Sequence, residues 1–122
     1  MVTRIASAIL TLTGLLGLIS GVLFWLGLAL NLITLHMLLG FLAVAALWTI
    51  GIAQAGANGG SWVIAVCSLI VGALTITLGF YQASLVAGPL HWIIEITHMT
   101  LGILTIGLGH MGAARYRKAN AA

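Results

Sequence analysis

His36-Met37-Leu38-Leu39-Gly40-Phe41-Leu42 returns 62 residues later as His98-Met99-Thr100-Leu101-Gly102-Ile103-Leu104, with histidine, methionine, glycine and two leucines in register. Extended backwards without a gap, the same offset lays Leu12-Thr13 and Leu16-Gly17 on Leu74-Thr75 and Leu78-Gly79. Leu23/Leu85 and Leu28/Leu90 complete eleven identities in the window 12–42. Leucine coincidences come cheaply in a leucine-rich chain, so the Thr, Gly, His and Met matches carry the weight. Such self-similarity marks two copies of one supersecondary unit, about 1–57 and 62–119, and it puts two imidazoles at equivalent points of the copies.

Composition decides the solvent. Apolar residues make up 62% of the chain, only 4 Lys+Arg and 1 Asp+Glu occur in 122 residues, and the mean hydropathy is +1.26. No water-facing shell can be built from so few charges, which places the chain in a lipid bilayer. Four apolar stretches run near 5–28, 31–54, 62–84 and 90–112, each close to the roughly 20 residues that cross about 30 Å of hydrocarbon. In lipid each span must satisfy its own backbone, and the alternation of a barrel strand is absent. The expectation is an all-α integral membrane protein. Residues 1–122 form a single domain of four transmembrane helices, a tandem parallel repeat of two two-helix hairpins. Gln54 to Ser61 is the clearest loop in polar and glycine content. Pro89 stands just before the fourth span, where its missing N–H costs nothing.

Thr3-Arg4 precedes the first span, which continues through bulky Phe24-Trp25-Leu26 where a cleaved signal would show small residues, so it reads as a retained helix. Arg4, Arg115, Arg117 and Lys118 all lie near the two ends. With four spans both termini share a side, and the positive-inside rule makes that side cytoplasmic in a multi-pass protein of the cell's inner membrane. The net charge of +3 is a topology signal, and nucleic-acid binding is not read from it. Cys67 has no disulfide partner and is expected to be a small buried hydrophobe.

A two-span unit returns to the side where it began, so the second copy enters the membrane in the same sense as the first. The copies are then related by a pseudo-two-fold axis along the membrane normal. His36, about five residues into its span, and His98, about nine after Pro89, fall at one depth in the outer half, across that axis from one another. Two such histidines suit a tetrapyrrole iron, which takes one axial nitrogen from each side. Gly40 and Gly102 lie one turn on, where a missing side chain leaves room for a ring edge. Close helix approach is the other explanation of those glycines. A polar ring in hydrocarbon is costly, and a purely structural account must also explain its recurrence at offset 62.

With Thr13-Gly14-Leu15-Leu16 ahead of the second span and His-x-x-x-Gly at His36/Gly40 and His98/Gly102, the chain resembles the small four-helix membrane b-type cytochromes. The resemblance implies haem b with His36 and His98 on its iron and Gly40 and Gly102 beside the ring. Such families often carry a second haem on a histidine pair 12 to 14 residues further along, and here the pattern departs. His110 has Trp48 as its equivalent at offset 62, so one haem is implied.

His91, Glu95 and His98 fall at spacings of four and three on one face of the fourth span, and Glu95 is the only carboxylate. One reading makes His91 and Glu95 a proton or quinone site. Another is a metal cluster built on Glu-x-x-His, which usually needs several carboxylates. In the third, Glu95 hydrogen-bonds His91 and fixes the helix end. Trp25, Trp62, Trp92 and Tyr116 lie near span ends as an interfacial belt, and Trp48 and Tyr81 are candidates to line a tetrapyrrole. Met37 and Met99 point about 100° away from their histidines and read as filler.

The leading expectation is an electron carrier, or a subunit of an oxidoreductase complex, moving electrons through one bis-histidine haem. Its donor is quinol or a redox partner and its acceptor another subunit. Two alternatives stand beside it: chlorophyll-type pigment binding, and a colourless structural or ion-coupling membrane subunit.

Overall fold

The computed structural model describes residues 1–121. Four α-helices follow one another: α1 (Val2–Trp25), α2 (Ile33–Ala55), α3 (Trp62–Tyr81) and α4 (Trp92–Ala121). A single 3-10 turn, Leu30–Leu32, leads into α2. All four helices are long and apolar enough to cross a membrane. At 1.5 Å per residue, the 20 residues of α3 span about 30 Å and the 30 residues of α4 about 45 Å, so α4 outruns the hydrocarbon. Its basic end, Arg115 to Lys118, belongs to that overhang.

The boundaries differ from those read off hydropathy, for local reasons. α1 stops at Trp25 because Gly27 adopts φ +73°. The Gly27 N–H then donates to the Phe24 carbonyl (2.9 Å) and the Leu28 N–H to the Leu23 carbonyl (2.8 Å), which is a Schellman closure. α3 starts at Trp62 because the Ser61 hydroxyl caps it, accepting from the Ile64 N–H at 3.4 Å. It ends at Tyr81, whose carbonyl accepts from both the N–H and the hydroxyl of Ser84, each at 2.9 Å. After Pro89 one more turn intervenes before α4 begins at Trp92. Gln54, expected in the second loop, instead belongs to α2 and is fully buried. Its carboxamide accepts from the Ser61 N–H (3.1 Å) and donates to the Ser61 carbonyl (2.7 Å), and so closes the connection from within.

Neighbours α1–α2, α2–α3, α3–α4 and α4–α1 all pack together, and α2 also meets α4. Among the described residues the backbones of α1 and α3 do not come close, whereas those of α2 and α4 do, so α2 and α4 form the short diagonal of the bundle. Thr11 Oγ1 of α1 lies 3.1 Å from His110 Nε2 of α4, which brings both chain ends to one end of the bundle.

That end is close-packed. Ala6, Leu10, Ala43, Ala46, Leu47, Ile50 and Ala113 make its core, with Leu10, Leu47, Ile50 and Ala113 wholly shielded. Glycines allow the approach: the side chain of Leu10 lies directly on Gly109, and Trp48 lies on Gly72 while its indole N–H donates to the Ser68 carbonyl at 3.1 Å. Leu12, Leu15, Ile19, Ile52, Val66, Ile70 and Ile103 are exposed on the outside, as a bundle solvated by lipid requires. Cys67 lies there too, on the outer face of α3. The expectation of burial is corrected: Ile64, Ala65, Ser68, Gly72 and Thr75 take the inward stripe, and Cys67 falls off it.

Candidate functional site

Towards the other end the helices do not close on one another. Their inward stripes carry Gly14, Gly17 and Gly21 on α1, Gly40 on α2, Gly79 on α3 and Gly102 on α4, and they enclose a cavity of about 460 Å³. That volume lies within the range of about 300–1,000 Å³ usual for small-molecule sites. Leu30, Gln82 and Ala83 also line it, so the cavity reaches the end of the bundle that carries the α1–α2 and α3–α4 connections. Buried Thr13, Thr75 and Thr105 bound it on the packed side, with the Thr75 and Thr105 hydroxyls 3.3 Å apart. Each threonine gives its side chain a backbone anchor, Thr13 on the Ile9 carbonyl (2.7 Å), Thr75 on Val71 (2.7 Å) and Thr105 on Leu101 (2.9 Å).

His36, the fourth residue of α2, and His98, the seventh of α4, face this cavity from the two ends of the short diagonal. Their ring centroids are 6.2 Å apart with the planes inclined at 59°. Ser20 Oγ of α1 lies 2.8 Å from His36 Nδ1, 2.9 Å from the Leu16 carbonyl and 3.0 Å from that of Gly17. With its one proton on a helix carbonyl, the serine hydroxyl is free to accept an Nδ1–H from His36. In that tautomer the Nε2 of His36 is a bare lone pair. Phe24 meets the same ring edge-on at 5.2 Å. His98 lies over Gly79, where a Cβ would stand 2.9 Å from its Cε1, and its buried Nδ1 has no partner among the described residues. Among the described residues no hydrogen bond involves Nε2 of either ring.

Gly40 and Gly102 line the cavity with the histidines. A Cβ at Gly40 would meet nothing within 4 Å, as would one at Gly17, whereas at Gly102 it would reach Leu18 Cδ2 at 3.4 Å. Met37 and Met99 line it as well, closer to the site than their angular offset from the histidines indicated. Residues 62 positions apart face one space: Thr13 and Thr75, Gly17 and Gly79, His36 and His98, Met37 and Met99, Gly40 and Gly102.

The remaining candidates separate. Glu95 lines the cavity, while His91 turns away and donates from Nδ1 to the Leu85 carbonyl at 3.1 Å, so no hydrogen bond joins the two among the described residues. His110 belongs to the far end, with Thr11. Trp48 is committed to α3 packing, and Tyr81 is exposed outside the cavity. Among the described residues no three His, Cys, Asp or Glu side chains gather into a metal-binding group. Sequence reasoning overlooked Ser20, Gln82, Phe24, Phe41 and Phe80. A signal existed for the first two, because Ser20 and Gln82 are polar residues 62 positions apart, but a search for identities passes over them.

Comparison of the chain with protein-family models, with curated proteins and with solved structures finds no match.

Proposed function

We propose that the chain is a membrane b-type cytochrome that binds one haem b between His36 and His98 and carries electrons between quinol or a redox partner and another subunit. The supporting observation is the pair of imidazoles, 6.2 Å apart between centroids, inside a glycine-lined cavity. A ligating imidazole nitrogen stands about 2 Å from its metal with the ring centroid about 1 Å behind it, so two rings in line through one metal have centroids roughly 6 Å apart. The open space at Gly17 and Gly40 is where ring edges find room. A free ion would lack ligands here, having two imidazoles and one carboxylate along a wide cavity. A macrocycle that brings four nitrogens of its own would need only two more from the protein.

Bound there, haem supplies a reversible one-electron iron couple. The chain's residues set the conditions. His36 and His98 would hold the haem iron, one imidazole from α2 and one from α4. Ser20 holds the His36 ring in the tautomer that presents Nε2. Phe24, Phe41 and Phe80 keep the surroundings apolar. Glu95, in the same cavity, is the group placed to take or release a proton. Equivalence of the two halves about an axis along the membrane normal accounts for one ligand coming from each copy. Arg4, Arg115, Arg117 and Lys118 support cytoplasmic termini in an inner membrane.

The deciding experiment is the visible spectrum of the intact detergent-purified protein, oxidised and then dithionite-reduced, with a pyridine haemochrome assay. Sharp reduced α and β bands at about one b-haem per chain are expected. Far-red bands would replace the proposal with a chlorophyll-type pigment, and a colourless protein that takes up no haem would replace it with a structural or ion-coupling subunit.

A further inference from the structure

Two buried polar atoms of cavity-lining residues lack partners among the described residues: Nδ1 of His98 and Oε1 of Gln82. They are complementary, since an imidazole protonated at Nδ1 donates there and a carboxamide oxygen only accepts. The ring of His98 lies along α3. From a Cβ at Gly79, its Cε1 would be 2.9 Å, its Nε2 3.5 Å and its Nδ1 3.8 Å away. Gln82 follows Gly79 by three residues and still has helical dihedrals (φ −55°, ψ −36°), so it occupies the same face one turn nearer the mouth. On α1, Gly17 and Ser20 have that spacing, and Ser20 Oγ is the atom 2.8 Å from His36 Nδ1. The 62-residue offset lays Gly79 on Gly17, Gln82 on Ser20 and His98 on His36.

We infer that Gln82 is the positioning residue of His98, its carboxamide oxygen accepting the Nδ1–H of that imidazole as Ser20 accepts that of His36. Ser20 sits inside α1, whereas Gln82 is the first residue past α3, and the longer side chain spans the extra distance from a helix end. A rotation about the Gln82 side-chain bonds that brought the two atoms together would remove two unpaired polar atoms from an apolar site, where each is costly. The bond fixes the ring plane and leaves Nε2 bare, as an axial ligand must be. The use of this arrangement rests on the cytochrome reading; the hydrogen bond itself does not.

Two other groups face His98. Glu95, three residues earlier on α4, is the competing acceptor, and His36 approaches from α2. α3 brings Gln82 and no charged group to the cavity, and α1 brings none.

The test is the tautomer of His98 in the cofactor-free, full-length protein, labelled with 15N-histidine and read by long-range 1H–15N correlation at alkaline pH, with His98→Ala for assignment. The wild type is expected to show Nδ1–H at His98. Gln82→Leu and the closer isostere Gln82→Met are expected to shift it towards Nε2–H, Gln82→Glu to restore Nδ1–H, and Glu95→Gln to leave it unchanged. An unchanged His98 in both apolar variants, or a shift produced by Glu95→Gln in place of Gln82→Leu, overturns the inference. In the haem-loaded protein, Gln82→Leu is expected to weaken haem binding roughly tenfold, within the range of second-layer substitutions at metal sites. A protein that binds no haem refutes the cytochrome reading while the tautomer still decides on Gln82.

Discussion

Ser20 Oγ stands 2.8 Å from His36 Nδ1 and 2.9 Å from the Leu16 carbonyl, so two consecutive hydrogen bonds tie the imidazole of α2 to the backbone of α1. Ser20→Ala removes the acceptor without adding bulk. The expected result is a roughly tenfold loss of haem affinity in titrations of the cofactor-free protein, with Ser20→Thr close to wild type. Equal affinities for Ser20→Ala and wild type would show that the serine does not orient the ligand.

Loss of either imidazole tests the site itself. His36→Ala and His98→Ala are each expected to abolish the six-coordinate low-spin spectrum, while circular dichroism stays helical because both side chains lie outside the packed core. If both variants keep the wild-type bands, the axial assignment fails.

Glycines of the two halves of the bundle should respond in opposite ways. A Cβ at Gly40 meets nothing within 4 Å, so Gly40→Leu is expected to leave the cofactor-free fold intact, or about 1 kcal/mol more stable on helix propensity, while haem binding falls at least tenfold. Gly109 is covered by Leu10 in the core, and Gly109→Leu is expected to destabilise the protein by roughly 1–3 kcal/mol through overpacking. Denaturation curves paired with haem titrations read both effects.

Glu95 is the carboxylate that lines the cavity with the two histidines, so if haem reduction there is coupled to proton uptake, Glu95 is the group to test. The midpoint potential should then fall as pH rises, with a slope of at most about 59 mV per pH unit for one proton per electron. Glu95→Gln is expected to flatten that dependence and His91→Ala to preserve it, since His91 is engaged with the Leu85 carbonyl. Redox titration at several pH values decides; equal slopes in Glu95→Gln and wild type would remove the proton role.

Gln54 provides a stability prediction at the opposite end. Gln54→Leu strips the acceptor from the Ser61 N–H and one of two donors from the Ser61 carbonyl, which keeps the Ala65 N–H, and should cost about 1–3 kcal/mol with the haem spectrum unaltered. A shift in the spectrum would mean that the two halves of the bundle are coupled.

Much of the architecture was legible in the chain. Helix number follows from hydropathy, because a bilayer forces each apolar stretch of about 20 residues to satisfy its own backbone. Helix ends were less legible. They depend on Gly27 closing a Schellman motif, on Ser61 capping α3 and on Gln54 being drawn inward, and none of these registers in an average over apolarity. Cys67 was misjudged because hydropathy reports that a span is apolar all round and not which side meets its neighbours. That side follows from Ile64, Ala65, Ser68 and Thr75 packing inward.

The sequence by itself determined four apolar helices, basic residues gathered at the ends, and a histidine followed by a glycine one turn later in each half of the chain. These are properties of composition and spacing, and they need no partner. Only the tertiary structure decided that α2 and α4 meet across the short diagonal, bringing His36 and His98 to 6.2 Å. It also decided that Ser20 holds one of the rings, that Glu95 shares their cavity while His91 does not, and that leucine closes one end of the bundle while glycine leaves the other open. The reason is geometric: a residue's position along its helix specifies its depth, but what stands opposite depends on how each helix is rotated and packed, and that is settled by all four helices together.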